Sequence, residues 1–277
     1  MKLIISHLSP DFDSITATWL IKRYLPGWSK AILKFVPAGK TYKNQPPDNN
    51  QNIIHVDTGL GRFDHHQTDS YTCATKLVFD FLKKEKLIKK KDLSALEKLV
   101  DLVNQIDHFQ EINFPNPAWD LYEINLYSLI DGLKKILFDD EKVCLSVFPF
   151  LDAALLNFKN KIQAEDDLNQ SLVFQSQWGK SIAIKSTNEE SLKLALKTGF
   201  DLAFRYDQKT KNVRIKIRPD HKKNLSPLYQ KLKEIDPTAT WFFHASKKML
   251  LNGSSKNPSV VPTQIPFLTL IEIIKKL

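Results

Sequence analysis

Histidine and aspartate are gathered into three short stretches of this 277-residue chain. His7 is followed by Asp11 and Asp13. Asp57 precedes the run Asp64-His65-His66. Asp107 and His108 are adjacent, and four of the seven histidines fall in these stretches. Imidazole and carboxylate together suit manganese, iron or zinc, and magnesium when carboxylate dominates. Two such ions about 3.5–4 Å apart need a carboxylate that serves both, and they can activate a water for attack on phosphorus. Each stretch alone has a plain structural reading. Ser9-Pro10-Asp11 can be a turn and helix cap, Asp57-Thr58-Gly59 a turn after a strand, and Asp107-His108 a helix-terminal pair. Tandem imidazoles behind an aspartate are seldom needed for packing, and all three stretches together point to a metal site.

The elements that must position these residues can be read from the pattern around them. Leu3-Ile4-Ile5 is a short buried strand running into His7. Ser14 opens a helical pattern through Leu20, Ile21 and Tyr24, stopped by Pro26-Gly27. Lys34-Phe35-Val36 is a second strand, Thr41 to Gln51 a polar loop, and Asn52 to Asp57 a third strand. Strands alternating with helices predict an α/β layer with a parallel sheet, whose ligands sit beyond the strand carboxyl ends. Helical periodicity then covers Ala74 to Ile88 and Leu93 to Ile106, joined by the solvated run Lys89-Lys90-Lys91. A mainly helical region from Tyr122 to Asn169 is expected to break near Pro149. From Trp178 the pattern changes to a strand at Ser181–Lys185, a helix at Glu189–Lys197, and a hairpin formed by Phe200–Tyr206 and Asn212–Ile217. Val213, Ile215 and Ile217 alternate with Arg214, Lys216 and Arg218, giving one apolar and one cationic face. The expected organisation is therefore an α/β domain over residues 1–125, a helical connector over 126–177, and a smaller α/β domain over 178–277.

Composition narrows the class. Hydrophobic residues at 42% and charged residues at 26% are the balance of a soluble globular chain, which excludes wholesale disorder. Forty Lys and Arg against thirty-one Asp and Glu leave a net charge of +9, which suits an anionic partner. Cys73 and Cys144 are the only cysteines, too few for a disulfide framework or a thiolate cluster. The apolar start is too short for a signal peptide, and the most apolar window, Val143 to Leu156, is too short to span a bilayer. A soluble, cytoplasmic protein with no membrane partner is expected.

His7-Leu8-Ser9-Pro10-Asp11-Phe12-Asp13-Ser14 resembles the first motif of the DHH phosphoesterase superfamily, in which a strand leads into His-x-x-Pro-Asp-x-Asp-Ser. Asp57 resembles the second motif, Asp64-His65-His66 the signature that names the family, and Asp107 the fourth motif. The resemblance covers residues 1 to about 110. A narrower likeness links Val56-Asp57-Thr58-Gly59, Phe63 to Gln67, Val103 to Asp107 and Phe243-His244-Ala245-Ser246 to the melanocyte-proliferating-gene family of DHH-type RNA exonucleases. The chain departs from that branch at its first motif and at Asn104, where the branch has an acidic residue. What the resemblance implies is specific. His7, Asp11 and Asp57 would hold one divalent ion, and Asp13, Asp57, His65 and Asp107 a second, with Asp57 bridging. The ions would be manganese, with magnesium as the alternative. His66 would face the substrate phosphate, and Asp64 would orient the pair of imidazoles. The reaction would be hydrolysis of a phosphodiester by water activated between the ions, the substrate a short single-stranded RNA or DNA oligonucleotide cut from one end. A small-nucleotide phosphatase or a manganese pyrophosphatase would use the same ions, and a non-catalytic nucleic-acid-binding module is the alternative of another class. The oligomeric state, a homodimer included, stays open.

In DHH proteins a C-terminal domain grips the substrate, and the residues expected to do so here are Arg205, Arg214, Arg218, His244, Asn252, Gly253 and Lys256, with Ser254 and Ser255 in the same small-residue loop. The family's Gly-Gly-His signature is absent, and His244-Ala245-Ser246 with Asn252-Gly253 stands in its place. Tyr206, Trp241, Phe242 and Phe243 are the aromatics considered for base stacking, against a core role.

Overall fold

The computed structural model describes residues 1–253 and 259–277. The chain is α/β, with a three-stranded parallel sheet, a six-stranded mixed sheet and eight α-helices among the described residues. It divides into two compact units, Met1–Lys159 and Asn160–Leu277.

The first unit opens with β1 (Leu3–His7), crosses through α1 (Phe12–Tyr24) to β2 (Ile32–Val36), and returns to β3 (Ile53–His55). The sheet order is β2-β1-β3, all parallel, with Leu3 opposite both Ile32 and Ile53. Central β1 is apolar without alternation, as a strand covered on both faces must be. Helix α1 is likewise buried almost all round, because α2 (Ala74–Lys84) and α3 (Lys90–Asp107) pack on it. Its N-cap is Asp11 rather than Ser14. The Asp11 carboxylate accepts from Ser14 N at 2.9 Å, and Asp11 N donates back to Ser14 Oγ, a reciprocal capping box.

Helices α4 (Leu126–Leu137) and α5 (Asp140–Asn169) follow. Helix α5 is unbroken through Pro149, contrary to the expected break. Proline frees the carbonyl of the residue four before it, here Leu145. Leu145 and Pro149 are both exposed, so water can satisfy that carbonyl, while Val143, Val147, Leu151 and Leu155 bury the opposite face. The unit boundary falls inside α5, within the stretch 126–177 expected as a helical connector. Its first part packs with the first unit, and its end, with β4 (Leu172–Ser176), belongs to the second.

In the second unit β5 (Gly179–Lys185) crosses through α6 (Glu189–Lys197) to β6 (Leu202–Tyr206) in parallel. Strand β7 (Val213–Ile217) returns antiparallel to β6 as the expected hairpin. After α7 (Ser226–Ile235) come β8 (Trp241–Phe243), β9 (Met249–Asn252) and α8 (Phe267–Lys276), giving the order β4-β5-β6-β7-β9-β8. Val213, Ile215 and Ile217 turn into a core shared with Leu228, Leu232, Leu270 and Ile274. No helix among the described residues is long and apolar enough to cross a membrane.

Candidate metal centre

The His and Asp stretches meet where β1 and β3 end. The His7 ring is set by Nδ1 donating to the Leu8 carbonyl at 2.9 Å, which leaves Nε2 as the acceptor-type nitrogen that a metal requires. That Nε2 lies 3.2 Å from Asp57 Oδ2 and 3.7 Å from Asp11 Oδ2. His65 Nε2 lies 3.3 Å from Asp57 Oδ1, 3.7 Å from Asp107 Oδ2 and 3.9 Å from Asp13 Oδ2. The two oxygens of Asp57 therefore face two separate groups, His7 with Asp11 and His65 with Asp13 and Asp107. These groups have the composition and the close approach needed to hold a divalent ion. The resemblance implies these two groupings, and a third, Asp57 with His65 and His66, approaches as closely.

Asp57 itself has one mark of a site, in its side chain. Its backbone is left-handed, at φ 56°, a conformation shared with several loop residues of this chain. Asp57 N donates to the Phe63 carbonyl at 2.9 Å. Its Oδ1 is buried and accepts no hydrogen bond, since His65 approaches it out of alignment. A buried carboxylate oxygen left without a donor is costly, and a cation removes that cost. The residues fit the metals the motifs imply.

The remaining ligand candidates are anchored by other means. Asp13, in the first turn of α1, is buried against the start of α2, where its two oxygens accept from Ala74 N and Thr75 N, each at 2.8 Å. Asp64 ties the loop after β3. It accepts from Leu60 N at 2.7 Å, His66 N at 3.1 Å and His66 Nδ1 at 2.7 Å. It thus orients His66, whose exposed ring keeps Nε2 outward, and it does not bond His65. Asp107 ends α3, and the next residue, His108, donates through Nδ1 to the Asn104 carbonyl at 2.8 Å.

Crowded acid raises four of these groups and leaves two carboxyls low. Burial and the neighbouring charges of Asp57 and Asp107 push Asp13 up to about 8. Burial, assisted by Asp57 and Asp11 and opposed by His65, pushes Asp107 up to about 6. The Asp57 carboxylate raises His65 to about 9. Burial opposes charge on His7, yet the Asp11 and Asp57 carboxylates raise it to about 11. Burial also works against ionisation of Asp11 and Asp64, but His7 and His66 respectively hold them below the usual carboxylate range. Protons gathered by an acidic cluster in this way are what bound cations displace.

A cavity of about 310 Å³ opens over the cluster, lined also by Ala38 and Gly39 beyond the end of β2. Sequence reasoning missed both, because neither carries a reactive group. Gly39 has φ 74°, and a Cβ there would meet nothing within 4 Å. Thr58 Oγ1 donates to the Lys40 carbonyl at 3.1 Å and fixes this turn against the Asp57 loop.

The residues expected to bind substrate are placed differently. Asn252 is fully buried. Its amide donates to the Thr240 and Val261 carbonyls, each at 3.0 Å, and its oxygen accepts from Thr263 N at 2.7 Å, so it ties the β8 and β9 region together and has nothing left for a ligand. Gly253 has φ 93°, and a Cβ would lie 1.7 Å from Asn212 Oδ1, so its glycine serves packing. Arg205 is only 3% exposed and donates to the Ser186 carbonyl at 2.7 Å. Arg214, its cross-strand partner, is tied to Glu189 at the start of α6. Both arginines are thereby covered, because α6 packs over β5 and β6, so the cationic stripe read from β7 is only partly open. Arg218 is exposed but forked onto Asp220 at 2.8 and 3.1 Å, and His244 lies in the exposed turn after β8, bonded to Ser246. Lys256, Ser254 and Ser255 lie outside the described residues. A comparison of the sequence with protein-family models finds no match, and a comparison with curated proteins finds none.

Proposed function

We propose that the first unit is a DHH-type phosphoesterase domain and that the protein hydrolyses phosphodiester bonds in short oligonucleotides with two divalent ions, manganese or magnesium. The observation that carries this reading is the single carboxylate of Asp57, one oxygen toward His7 and Asp11, the other toward His65 and Asp107. Bound cations at such a pair lower the pKa of water and neutralise charge developing on a phosphoryl group. His7, Asp11 and Asp57 hold one side, and Asp13, Asp57, His65 and Asp107 the other. Asp64 keeps the Nδ1 proton of His66 engaged, so that the outward Nε2 meets a phosphate oxygen. Ala38 and Gly39, without bulk, leave room for that phosphate on the β2 side. The net charge of +9 suits a polyanionic strand.

The test is hydrolysis of an end-labelled single-stranded RNA with added manganese, beside Asp57→Asn. Stepwise shortening is expected, with a loss on the order of a thousandfold in the variant, since several kcal/mol of charge stabilisation goes with the ions. Wild-type protein that loads manganese yet leaves RNA, DNA, cyclic dinucleotides and pyrophosphate intact would contradict the reading.

A further inference from the structure

We infer that the paired rings of Tyr71 and His108 form a seat for the nucleobase beside the scissile phosphate, which makes the substrate a nucleotide and not an inorganic phosphate. This inference rests on the phosphoesterase reading. Tyr71 lies in the loop between the Asp64-His65-His66 run and α2, and it is 54% exposed. Its ring lies against His108, with centroids 4.2 Å apart and planes tilted by 43°. His108 is held by its bond to Asn104, and its ring centroid lies 6.5 Å from that of His65. The pair is thus fixed at the edge of the metal-ligand cluster.

Base stacking needs a rigid aromatic face with water on its other side, beside the phosphate site. Of the aromatics considered from the sequence, only Phe242 has an open face. Trp241 is buried, and Tyr206 and Phe243 pack on the core of the second unit. A bare pyrophosphate would gain nothing from Tyr71, whereas every nucleobase has a face to lay on it.

The experiment compares a dinucleotide with its analogue lacking the base next to the scissile phosphate, on wild type, Tyr71→Ala, Tyr71→Phe and Phe242→Ala. The readouts are KM with manganese and the Kd of matching dinucleotides whose scissile P–O link is replaced by P–CH2, which report binding independently of turnover. Tyr71→Ala is expected to weaken the base-bearing ligand by about five- to a hundredfold and the abasic one far less, with Tyr71→Phe close to wild type. Phe242→Ala should shift neither. Equal losses on both ligands, no loss on either, or a base-dependent loss in Phe242→Ala would overturn the inference while leaving hydrolysis intact. Wild-type protein without manganese-dependent hydrolysis of either dinucleotide would overturn the phosphoesterase reading along with it.

Discussion

Asp57 and Asn252 make an instructive pair. Each is a buried polar side chain at the end of a strand, Asp57 just beyond β3 and Asn252 closing β9. Asn252 uses both amide hydrogens and its oxygen on three backbone groups from distant parts of the second unit. Asp57 keeps a buried oxygen without a donor, facing a second set of acids and imidazoles. Hydrogen-bonding capacity that is fully spent holds a fold together. A buried carboxylate oxygen without a donor that also faces imidazoles and further carboxylates is placed to take a cation.

The contrast can be broken by substitution at its satisfied member. Asn252→Ala would leave the Thr240 carbonyl and the buried Thr263 N–H without their partner, while the Val261 carbonyl keeps its bond from Thr240 N, a loss of about 2 kcal/mol of stability. Denaturant unfolding measures it, and the manganese Kd should not move. A variant that unfolds like wild type but loses substrate would return Asn252 to the binding surface. A smaller effect is expected from pH. Asp13, Asp107, His65 and His7, at about 8, 6, 9 and 11, keep their protons to higher pH in the folded chain than ordinary carboxyl and imidazole groups do. A folded state that binds more protons than the unfolded one loses stability as pH rises. Asp11 and Asp64 are held low and are ionised in both states above about pH 5. The melting temperature of metal-free protein should therefore fall between about pH 5 and pH 9, and saturating manganese should flatten the slope. A metal-free melting temperature that rises across that interval would contradict this balance.

The metal-ligand candidates were legible because His and Asp in tight clusters at strand ends have few structural uses. Asp11 shows that two readings of one residue can hold together, since it caps α1 through Oδ1 and approaches His7 through Oδ2. Helix α6 over Glu189–Lys197 and the β6–β7 hairpin were equally legible, their periodicity being uninterrupted. The fold-tying bonds of Asn252 and Arg205 were not legible because their partners lie far along the chain, at Thr240, Val261 and Thr263 for the first and at Ser186 for the second, whose Nε is buried without a partner. Local composition makes a polar residue beside glycine look like a binding loop, and only tertiary pairing shows otherwise. Ala38, Gly39 and Tyr71 were missed for the opposite reason. Nothing in their chemistry is reactive, and their part comes from where the sheet and the α2 loop leave them.

The most direct test of the central claim, that one carboxylate serves two ions, is manganese stoichiometry by equilibrium dialysis on wild type and Asp57→Asn, with folding checked by circular dichroism. Two ions per folded wild-type chain and at most one, weakly held, in folded Asp57→Asn is the predicted result. Two ions bound with unchanged affinity in the variant, or none in the wild type, would contradict it.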